Sequence, residues 1–409
     1  MRRALAIAAL AVALASVPAA PAGAAATRSG RPPKLHADAA ILVDRTTGEV
    51  LYARHPDERH EIASTTKLMT ADLALEHSRP TQVLTSPGYS GASAESVIGL
   101  HRGERMTVHD LLRALLLESA NDAAYTIAVR LAGSENAFVD QMNAQASALG
   151  LGSTHYENPI GLDDPDNYST ARDLAKLASR LMGDRRFAGI VSLPSAALTS
   201  GSHERIVHNR NLLVGRYRFV NGVKTGHTSK AGYCLVGSAT SKGAHVVSVV
   251  LHDPSESARD ADSLALLQFG LAQYTRVRPV ARGDVVARPK IKYRGGDRVS
   301  LTVPRTVRLT VRKGERVSRR VQAPGTLDGP IPAGKAVGSV ALVYRGKVVR
   351  RAPLVTAGAV PAASFPRKIV STLGVPLTAL AFLVLVAACL GALRRRALHG
   401  AGEGRLKQR

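Results

Sequence analysis

The chain has 409 residues, a formal net charge of +24 and only two cysteines, Cys234 and Cys389. One cysteine lies in a predicted strand and the other in a predicted membrane segment, so the two are not expected to pair. This excludes a fold held by disulfides, and the chain is long enough for two domains with apolar cores.

Residues 1–26 are typical of a secretory signal peptide. Two arginines begin the segment, residues 4–17 form an apolar run too short to span a bilayer, and small residues at 24–26 provide a cleavage site. An unusual N-terminal core helix is the alternative interpretation. A polar linker over residues 27–37 follows. The pattern therefore predicts an exported protein.

Residues 38–275 are predicted to form one α/β domain. A strand at 39–44 turns back over residues 49–53, and a hairpin is predicted from 233–240 and 244–252. Strands from both ends of the segment flank the helices, which indicates a single mixed domain. Helical patterns cover residues 64–77, 108–117 after Thr107 as N-cap, 122–131, 135–149, a segment capped by Ser169 or Thr170, and 258–274.

Residues 276–355 differ in composition from the preceding domain, since short Val-rich runs are broken by Gly and Pro. This pattern predicts a small all-β domain. This segment carries 20 Lys and Arg residues against four acidic residues, which accounts for 16 of the +24 charges. Its only aromatic residues are Tyr293 and Tyr344, so it lacks the stacking residues of single-strand nucleic-acid binders. Lipid headgroups and anionic wall polymers are the expected neighbours, and a simple spacer role is the alternative.

The C-terminal part predicts a membrane anchor. An Ala/Pro-rich spacer is expected at residues 356–367, followed by a transmembrane helix over 368–393, most of which is uncharged. Three arginines begin the short tail of residues 394–409, and positive residues favour the cytoplasmic side. We therefore expect a single-pass membrane protein with its α/β domain outside the cell. A buried core helix is the alternative interpretation.

The segment Ser64-Thr65-Thr66-Lys67 places a hydroxyl and an amine on one face of a predicted helical turn. A serine hydroxyl is a weak nucleophile that needs a base. A lysine can act as that base when burial and a second cation, for which Lys224 is a candidate, lower its pKa. Alone, this short pattern is more often structural than catalytic.

Two further short motifs supply a second hydroxyl, a carboxamide and a second lysine. Residues 119–121 (SAN) interrupt an apolar helical pattern, where they can point a hydroxyl and a carboxamide into a cleft. Ser119 and Asn121 can also cap the next helix, and both interpretations can hold together. Residues 224–226 (KTG) precede the predicted hairpin. On an edge strand, a lysine and a threonine can bind a substrate carboxylate, and the glycine permits close approach of backbone. The alternative for this motif is an ordinary turn.

The three motifs, separated by 55 and 105 residues, together resemble the penicillin-binding serine D,D-peptidases, most closely the low-molecular-mass D-alanyl-D-alanine carboxypeptidases. The resemblance covers residues 38–275 strongly. It implies an α/β (α+β) serine D,D-peptidase or β-lactamase-like transpeptidase fold, a following small all-β domain and a C-terminal transmembrane helix. Further similar segments are EIASTTKL at 61–68, NPIGL at 158–162, YSTARDL at 168–174, GVKTGHT at 222–228 and AGYCLV at 231–236.

The resemblance also implies the catalytic roles. Ser64 would attack the carbonyl of the penultimate D-Ala and form an acyl-enzyme, while Lys67 accepts the hydroxyl proton. Ser119 would help to pass a proton to the leaving D-Ala, and water would then release the shortened peptide. β-Lactams, as mimics of D-Ala-D-Ala, should acylate Ser64.

Five residues are implied as substrate-binding. Asn121 would orient the acyl part of the substrate, and Lys224 and Thr225 would hold its terminal carboxylate. Gly226 would allow close approach, and the N–H group of His227, with that of the nucleophile, would form the oxyanion hole. A role for the His227 side chain is the alternative to this backbone role.

One residue departs from the family pattern: Asn221 stands in VNGVKTG where many relatives have Asp, and a local turn effect is expected.

Several other functions share the motifs. A serine β-lactamase is disfavoured because Glu157-Asn158 does not fit the spacing of a deacylating glutamate. A D,D-endopeptidase would use the same machinery. A non-catalytic wall-binding or β-lactam-sensing module is disfavoured by the intact motifs and by the short tail.

No metal or cofactor is expected, since the 13 histidines form no HExxH or similar grouping. The expected partners are peptidoglycan stem peptides, β-lactam inhibitors and the membrane, with anionic wall polymers as a further candidate and nucleic acid excluded.

Overall fold

The computed structural model describes residues 30–403, so the predicted signal peptide lies outside the described residues. The strands and helices up to the end of the last catalytic-domain helix are β1 Ala39–Asp44, β2 Val50–Arg54, β3 His60–Glu61, α1 Lys67–His77, β4 Val83–Thr85, β5 Arg105–Thr107, α2 Val108–Arg113, α3 Asn121–Ala132, α4 Glu135–Ala148, β6 Tyr168–Ser169, α5 Ala171–Leu181, α6 Arg185–Val191, β7 Ser195–Leu198, β8 Arg205–His208, α7 Leu213–Arg216, β9 Val220–Thr228, β10 Gly232–Ser241, β11 Ala244–Asp253 and α8 Glu256–Ala272.

The elements after α8 are mainly strands. They are β12 Tyr274–Val280, β13 Val285–Ala287, β14 Lys290–Ile291, β15 Leu301–Thr302, β16 Val307–Arg312, β17 Ser318–Gln322, β18 Thr326–Leu327, β19 Ala336–Tyr344, β20 Lys347–Thr356, α9 Phe365–Leu373 and α10 Val375–Glu403.

A five-stranded antiparallel sheet with the order β2-β1-β11-β10-β9 forms the centre of the catalytic domain. Strand β1 is buried along its whole length because helices cover both faces of the sheet. Ile41 belongs to the larger core, with α1 and α3, whereas the next residue, Leu42, belongs to the core beneath α8. Alternate residues of a strand point to opposite faces, so one short apolar run serves two cores.

Local sequence signals place most of these elements where they were expected. Thr107 accepts a hydrogen bond from the Asp110 N–H, and Thr170 accepts one from the Asp173 N–H, so both act as N-caps. The hairpin of β10 and β11 is confirmed. The last helix differs, because α8 ends at Ala272 and Tyr274 already begins β12, which pairs with β16 of the next domain.

The second domain is built around a sheet with the order β13-β15-β20-β19-β17, beside the β12-β16 pair. Its small core contains Leu301, Val340, Leu342 and Leu354. The predicted end of this domain is a few residues early. Strand β20 extends to Thr356, and Val360 lies in the same core, so the first part of the expected spacer packs against the domain.

Charged contacts join the two domains at the β1–β2 turn. Glu49 binds Arg312 and Arg345, and Arg345 also binds Glu315 at 2.6 Å. The Tyr274 hydroxyl donates to a carboxylate in the same region. The Thr310 hydroxyl also donates to the Lys242 carbonyl in the β10–β11 turn, so the basic domain contacts the sheet at the turns that end its strands.

The C-terminal helix is divided, which corrects the prediction of one helix over 368–393. Gly374, with a φ of +78°, separates α9 from α10. Residues Leu377–Arg396 of α10 have a mean hydropathy of 2.2, and the rest of the described chain buries none of this segment. By length and composition, this is the one helix of residues 30–403 that can cross a membrane.

Candidate active site

The structure brings the three sequence motifs together between α1, α3 and the edge strand β9. Ser64 lies in a 3-10 turn, Ala63–Thr66, and the α-helix begins at Lys67. The helix predicted to begin at Ser64 therefore begins three residues later, after this tighter turn. Lys67 Nζ lies 2.9 Å from Ser64 Oγ. The side chain of Lys67 is fully buried, and it also donates to the Ile160 carbonyl at 2.6 Å.

The loop at residues 158–162 supplies that carbonyl. The Asn158 side chain accepts hydrogen bonds from the N–H groups of Ile160, Gly161 and Leu162, at 3.3, 2.6 and 3.0 Å, which folds the loop into a tight turn. Gly161 has a φ of +85°, and a Cβ built there would lie 2.0 Å from the Ala63 carbonyl oxygen. Glycine is therefore required for the loop to pack against the turn that holds the nucleophile.

The second motif follows a π-helical segment, Ala114–Glu118, that buries three leucines. Ser119 has a φ of +67°, and α3 begins at Asn121. The N-cap of α3 is Ala120, whose methyl group cannot accept a hydrogen bond, so the capping interpretation is wrong. The hydroxyl of Ser119 accepts instead from Lys224 Nζ at 3.0 Å.

The third motif lies within β9 and not in a turn, so the turn interpretation is wrong. Lys224 pairs with Val236 in the β9–β10 register, and its side chain is 1% exposed. Its ammonium donates to Ser119 and to the Thr225 carbonyl at 2.9 Å. A Cβ at Gly226 would lie 3.1 Å from the Ser64 nitrogen, which shows how closely the strand approaches the nucleophile.

Residues at the outer end of β9 are more accessible. His227 is exposed, and its ring stacks on that of Tyr233 with centroids 4.0 Å apart. Asn221 also belongs to the strand, so the expected turn effect is wrong. Its side-chain amide donates to Thr240 Oγ1 at 3.2 Å, which holds β9 to the neighbouring strand.

Burial lowers the pKa of both lysines. The pKa of Lys67 is held well below its usual value, first by desolvation and then by the positive charge of Lys224. The pKa of Lys224 is lowered to about 7, first by desolvation and then by the Arg259 and Arg210 guanidinium groups. A lysine of lowered pKa is neutral for part of the time near neutral pH and can accept a proton.

Three contributors to the site were missed in the sequence: Arg210, Arg259 and Glu95. Arg259 is 3% exposed on α8, and Arg210 follows β8, and both place positive charge near Lys224. Glu95 accepts from Asn121 Nδ2 at 2.6 Å and from the Tyr89 hydroxyl. No local pattern marks these residues, because each reaches the site from a distant segment. The Asn158 turn is the exception, since its NPIGL segment belongs to the similar segments.

Among residues 30–403, no three His, Cys, Asp or Glu side chains are grouped closely enough to hold a metal ion. Cys234, on the strand beside β9, is fully buried, and burial raises the pKa of its thiol to about 12. A thiol of this kind is not a nucleophile near neutral pH. Ser64 is therefore the best-placed nucleophile of the site.

Comparison with known proteins agrees with this geometry. A family model described as D-alanyl-D-alanine carboxypeptidase matches residues 26–255, and one described as the C-terminal domain of penicillin-binding protein 5 matches residues 274–362. The chain belongs to the D-alanyl-D-alanine carboxypeptidase family. The predicted family and fold class are thus confirmed.

Individual relatives cover most of the chain. It is 34% identical to the D-alanyl-D-alanine carboxypeptidase DacD of Escherichia coli, over 80% of this chain and 88% of that protein. It is 31% identical to DacF of Bacillus subtilis, over 78% and 84%. The solved structure of penicillin-binding protein 6B from Escherichia coli matches with a TM-score of 0.59 and 29% identity, over 81% and 98%. The Streptomyces K15 DD-transpeptidase matches with a TM-score of 0.57 and 32% identity, over 59% and 100%.

The contact between the Asn158 turn and the nucleophile turn gives a first prediction. Replacing Gly161 with Ala forces the loop away from Ala63, because the added Cβ meets a backbone oxygen at 2.0 Å and the backbone has a positive φ. A displacement of this size at a reacting group costs about 100-fold in rate. We expect Gly161→Ala to lower the rate of acylation by a fluorescent penicillin by that factor, with little change in the far-ultraviolet circular dichroism.

The matched control is Gly152→Ala, where an added Cβ meets nothing within 4 Å and the glycine has no positive φ. This variant should acylate at the rate of the unchanged protein. Normal acylation of Gly161→Ala would show that the loop can retreat without disturbing the nucleophile.

Proposed function

We propose that this chain is a serine-type D-alanyl-D-alanine carboxypeptidase, which removes the terminal D-Ala from peptidoglycan stem pentapeptides through an acyl-enzyme on Ser64. The observation that carries the proposal is the pairing of two serines with two buried lysines. Lys67 Nζ is 2.9 Å from Ser64 Oγ, and Lys224 Nζ is 3.0 Å from Ser119 Oγ.

In the acylation step, Ser64 Oγ attacks the carbonyl carbon of the penultimate D-Ala, and its proton moves to Lys67 Nζ. The neutral amine keeps an N–H for the Ile160 carbonyl at 2.6 Å, so its lone pair is free to face the serine hydroxyl. Burial lowers the pKa of Lys67 and makes this neutral form available. The lysine thus takes the part that histidine has in the Ser-His-Asp triad.

The leaving group then needs a proton. When the C–N bond breaks, we infer that the proton on Lys67 reaches the departing amine of D-Ala through Ser119. Ser119 suits this relay because Lys224 fixes its hydroxyl at 3.0 Å. Water attacks the remaining ester, gives its proton to Lys67, and the proton returns to Ser64 as the shortened peptide leaves.

The substrate is proposed to lie along β9 as an added strand, because edge strands have backbone groups that pair with an extended peptide. Lys224 and Thr225 would hold its terminal carboxylate. Arg210 and Arg259 keep the local field positive. Asn121, fixed by Glu95 at 2.6 Å, would orient the acyl part from the opposite side.

The oxyanion of the tetrahedral intermediate is proposed to bind the backbone N–H groups of Ser64 and His227. The close approach of Gly226 to the Ser64 nitrogen supports this pairing, since it brings β9 within reach of the nucleophile turn. Two such N–H donors stabilise the charge that develops on the carbonyl oxygen. A β-lactam carbonyl would use the same donors, and its ring nitrogen would be the leaving group.

The protein is further proposed to be exported and held at the membrane by its C-terminal helix. The apolar segment Leu377–Arg396 supports this anchor, and the positive residues at 394–396 favour a cytoplasmic tail. The catalytic domain would then be outside the cell, with the basic domain between it and the bilayer. Residues 1–26 would be removed as the signal peptide.

The basic domain is proposed to bind anionic wall polymers as well as to separate the active site from the membrane. All of β17 is exposed, including Arg319 and Arg320, and Arg350 and Arg351 of β20 are also exposed. In the sheet register, Arg320 and Arg351 flank Ala341 in one row. A row of unshielded cations across a sheet suits a repeating phosphate or carboxylate chain.

The proposed activity predicts D-Ala release from a diacyl-L-Lys-D-Ala-D-Ala peptide by residues 27–366. Ser64→Ala should abolish the release, because it removes the only proposed nucleophile. D-Ala is measured directly, together with cleavage of a crosslinked dimer peptide and transfer of the acyl group to an added amine. No release of D-Ala, with Ser64 still labelled by fluorescent penicillin, would contradict a carboxypeptidase and favour an endopeptidase or a transferase.

The two lysines predict that the rate of acylation by penicillin has a rising limb and a falling limb as pH increases. Lys67 acts as a base only when neutral, so the penicillin acylation rate rises with pH through the lowered pKa of Lys67. Lys224 binds a carboxylate only when charged, so the rate falls as pH rises through its pKa, about 7. Arginine keeps its charge, and Lys224→Arg should therefore remove the falling limb and keep the rising limb. A falling limb that persists in Lys224→Arg would mean that another group titrates.

The basic surface predicts salt-dependent binding of residues 27–366 to immobilised polyglycerol phosphate. Arg319→Gln/Arg320→Gln should weaken the binding and reduce its salt dependence, because two exposed cations are lost. The charge-matched control is Arg216→Gln/Arg218→Gln on the exposed surface of the catalytic domain, which should bind normally. Binding that is absent, or insensitive to salt, would exclude this role.

A further inference from the structure

A cavity of about 600 Å³ lies where α9 meets the basic domain. One side is formed by the turn at residues 291–297, including Tyr293. The other is formed by α9, including Ser371, and by Gly374, which follows α9. None of the residues around it belongs to the catalytic domain, so the cavity is separate from the proposed active site. Its volume is within the range of pockets that hold small ligands.

Two arginines face this cavity from its opposite sides. Arg294 comes from the turn, and Arg367 comes from the exposed side of α9. The Nε of Arg294 is buried and has no hydrogen-bond partner among the described residues. The guanidinium lies 3.8 Å from the Asp297 carboxylate, which also lines the cavity. One carboxylate therefore faces two guanidinium groups, and the cavity favours an anion.

Two lysines add positive charge beside the cavity. Lys292 Nζ lies 4.8 Å from the centre of the Tyr293 ring, and Lys368 Nζ lies 5.9 Å from it. Lys292 also pairs with Asp328 at 3.2 Å. The four cations around the cavity thus outnumber the two carboxylates, and two of the cations are held by a ring that lines it.

Backbone hydrogen bonds hold the turn in place. The Lys292 N–H donates to the Leu327 carbonyl at 2.8 Å, and the Ile291 N–H donates to the Asp297 carbonyl at 2.9 Å. Tyr293, the next residue, has a φ of +62°, in the left-handed region of backbone conformation. A turn fixed in this way loses little conformational entropy when a ligand binds.

The position of the cavity along the chain determines its depth in a membrane. Gly374 lines the cavity, and the apolar span begins at Leu377, three residues later. At 1.5 Å rise per helical residue, this separation is about 4.5 Å. The cavity therefore lies just outside the hydrocarbon core, at the level of the lipid phosphates.

We propose that this cavity binds the phosphodiester headgroup of an anionic phospholipid in the outer leaflet, with Arg294 and Arg367 as its ligands. The inference rests on the proposed membrane span. A lipid fits better than a free phosphate, because Val370 lines the same cavity and the exposed apolar face of α10 continues from it towards the bilayer. The bound headgroup would join α9 to the basic domain and fix the angle between the active site and the membrane.

The test uses the full chain in detergent, with dioctanoyl phosphatidylglycerol, dioctanoyl phosphatidylcholine and inorganic phosphate as probes for native mass spectrometry. We expect phosphatidylglycerol to bind more tightly than the other two. Arg294→Gln/Arg367→Gln should weaken this binding by about thirtyfold, since each cation near a lipid surface contributes a similar amount. Arg367→Gln alone should weaken the binding of phosphatidylglycerol by about fivefold. Because Arg367 is exposed, this substitution leaves the packing of the domain intact and separates a loss of binding from a loss of folding.

The charge-matched control is Arg305→Gln/Arg308→Gln, at two exposed positions in the same domain but outside the cavity. Equal loss of phosphatidylglycerol binding in this control would overturn the proposal, because it would indicate diffuse attraction by the basic domain. Equal binding of phosphatidylcholine or of inorganic phosphate would overturn it as well. D-Ala release from a soluble peptide is measured on the same preparations and should be unchanged in every variant, so the lipid site and the proposed activity can fail separately.

Discussion

The burial of two lysines in one site is the constraint on which the catalytic domain depends. Lys67 and Lys224 are 0% and 1% exposed, and the hydrogen bonds of their amines go to serine hydroxyls and backbone carbonyls. A buried ammonium without a carboxylate partner is costly, and the low polarity that imposes this cost also lowers the pKa. The fold therefore has to bring neutral oxygen acceptors to both amines, which explains the Asn158 turn and the π-helical segment that immediately precedes Ser119.

The same constraint explains why backbone segments approach each other so closely. The nucleophile turn is enclosed by Gly161 on one side and Gly226 on the other, and a Cβ at either position would meet its backbone within about 3 Å. This packing excludes water from the lysines and fixes the serine hydroxyl against the amine. Catalytic groups held in this manner need little reorganisation during reaction, because the fold has already paid the entropy of positioning them.

Local signals in the sequence predict much of the fold but only part of the site. Strand β1, the β10–β11 hairpin and the Thr107 and Thr170 caps depend on neighbouring residues, and each lies where it was expected. The nucleophile, its lysine and the other motif residues lie together in the structure. This proximity was predicted from a family resemblance and not from local sequence signals. Residues such as Arg259 and Glu95 contribute through contacts between distant segments, which no periodicity records. Helix ends were less predictable, because Tyr274 leaves α8 to pair with the next domain.

The charge of the basic domain is not one uniform feature. Arg312 and Arg345 are neutralised by Glu49 and Glu315 at the interface with the catalytic domain, so they hold the two domains together and contribute little field outside. Arg319 and Arg320 remain exposed on an edge strand, while Arg294 turns into the cavity beside α9. Charges at these places are screened to different extents, since exposed cations lose most of their long-range attraction at physiological salt and partly buried ones do not. The same net charge can thus attract a polymer weakly at one surface and hold a single phosphate firmly at another.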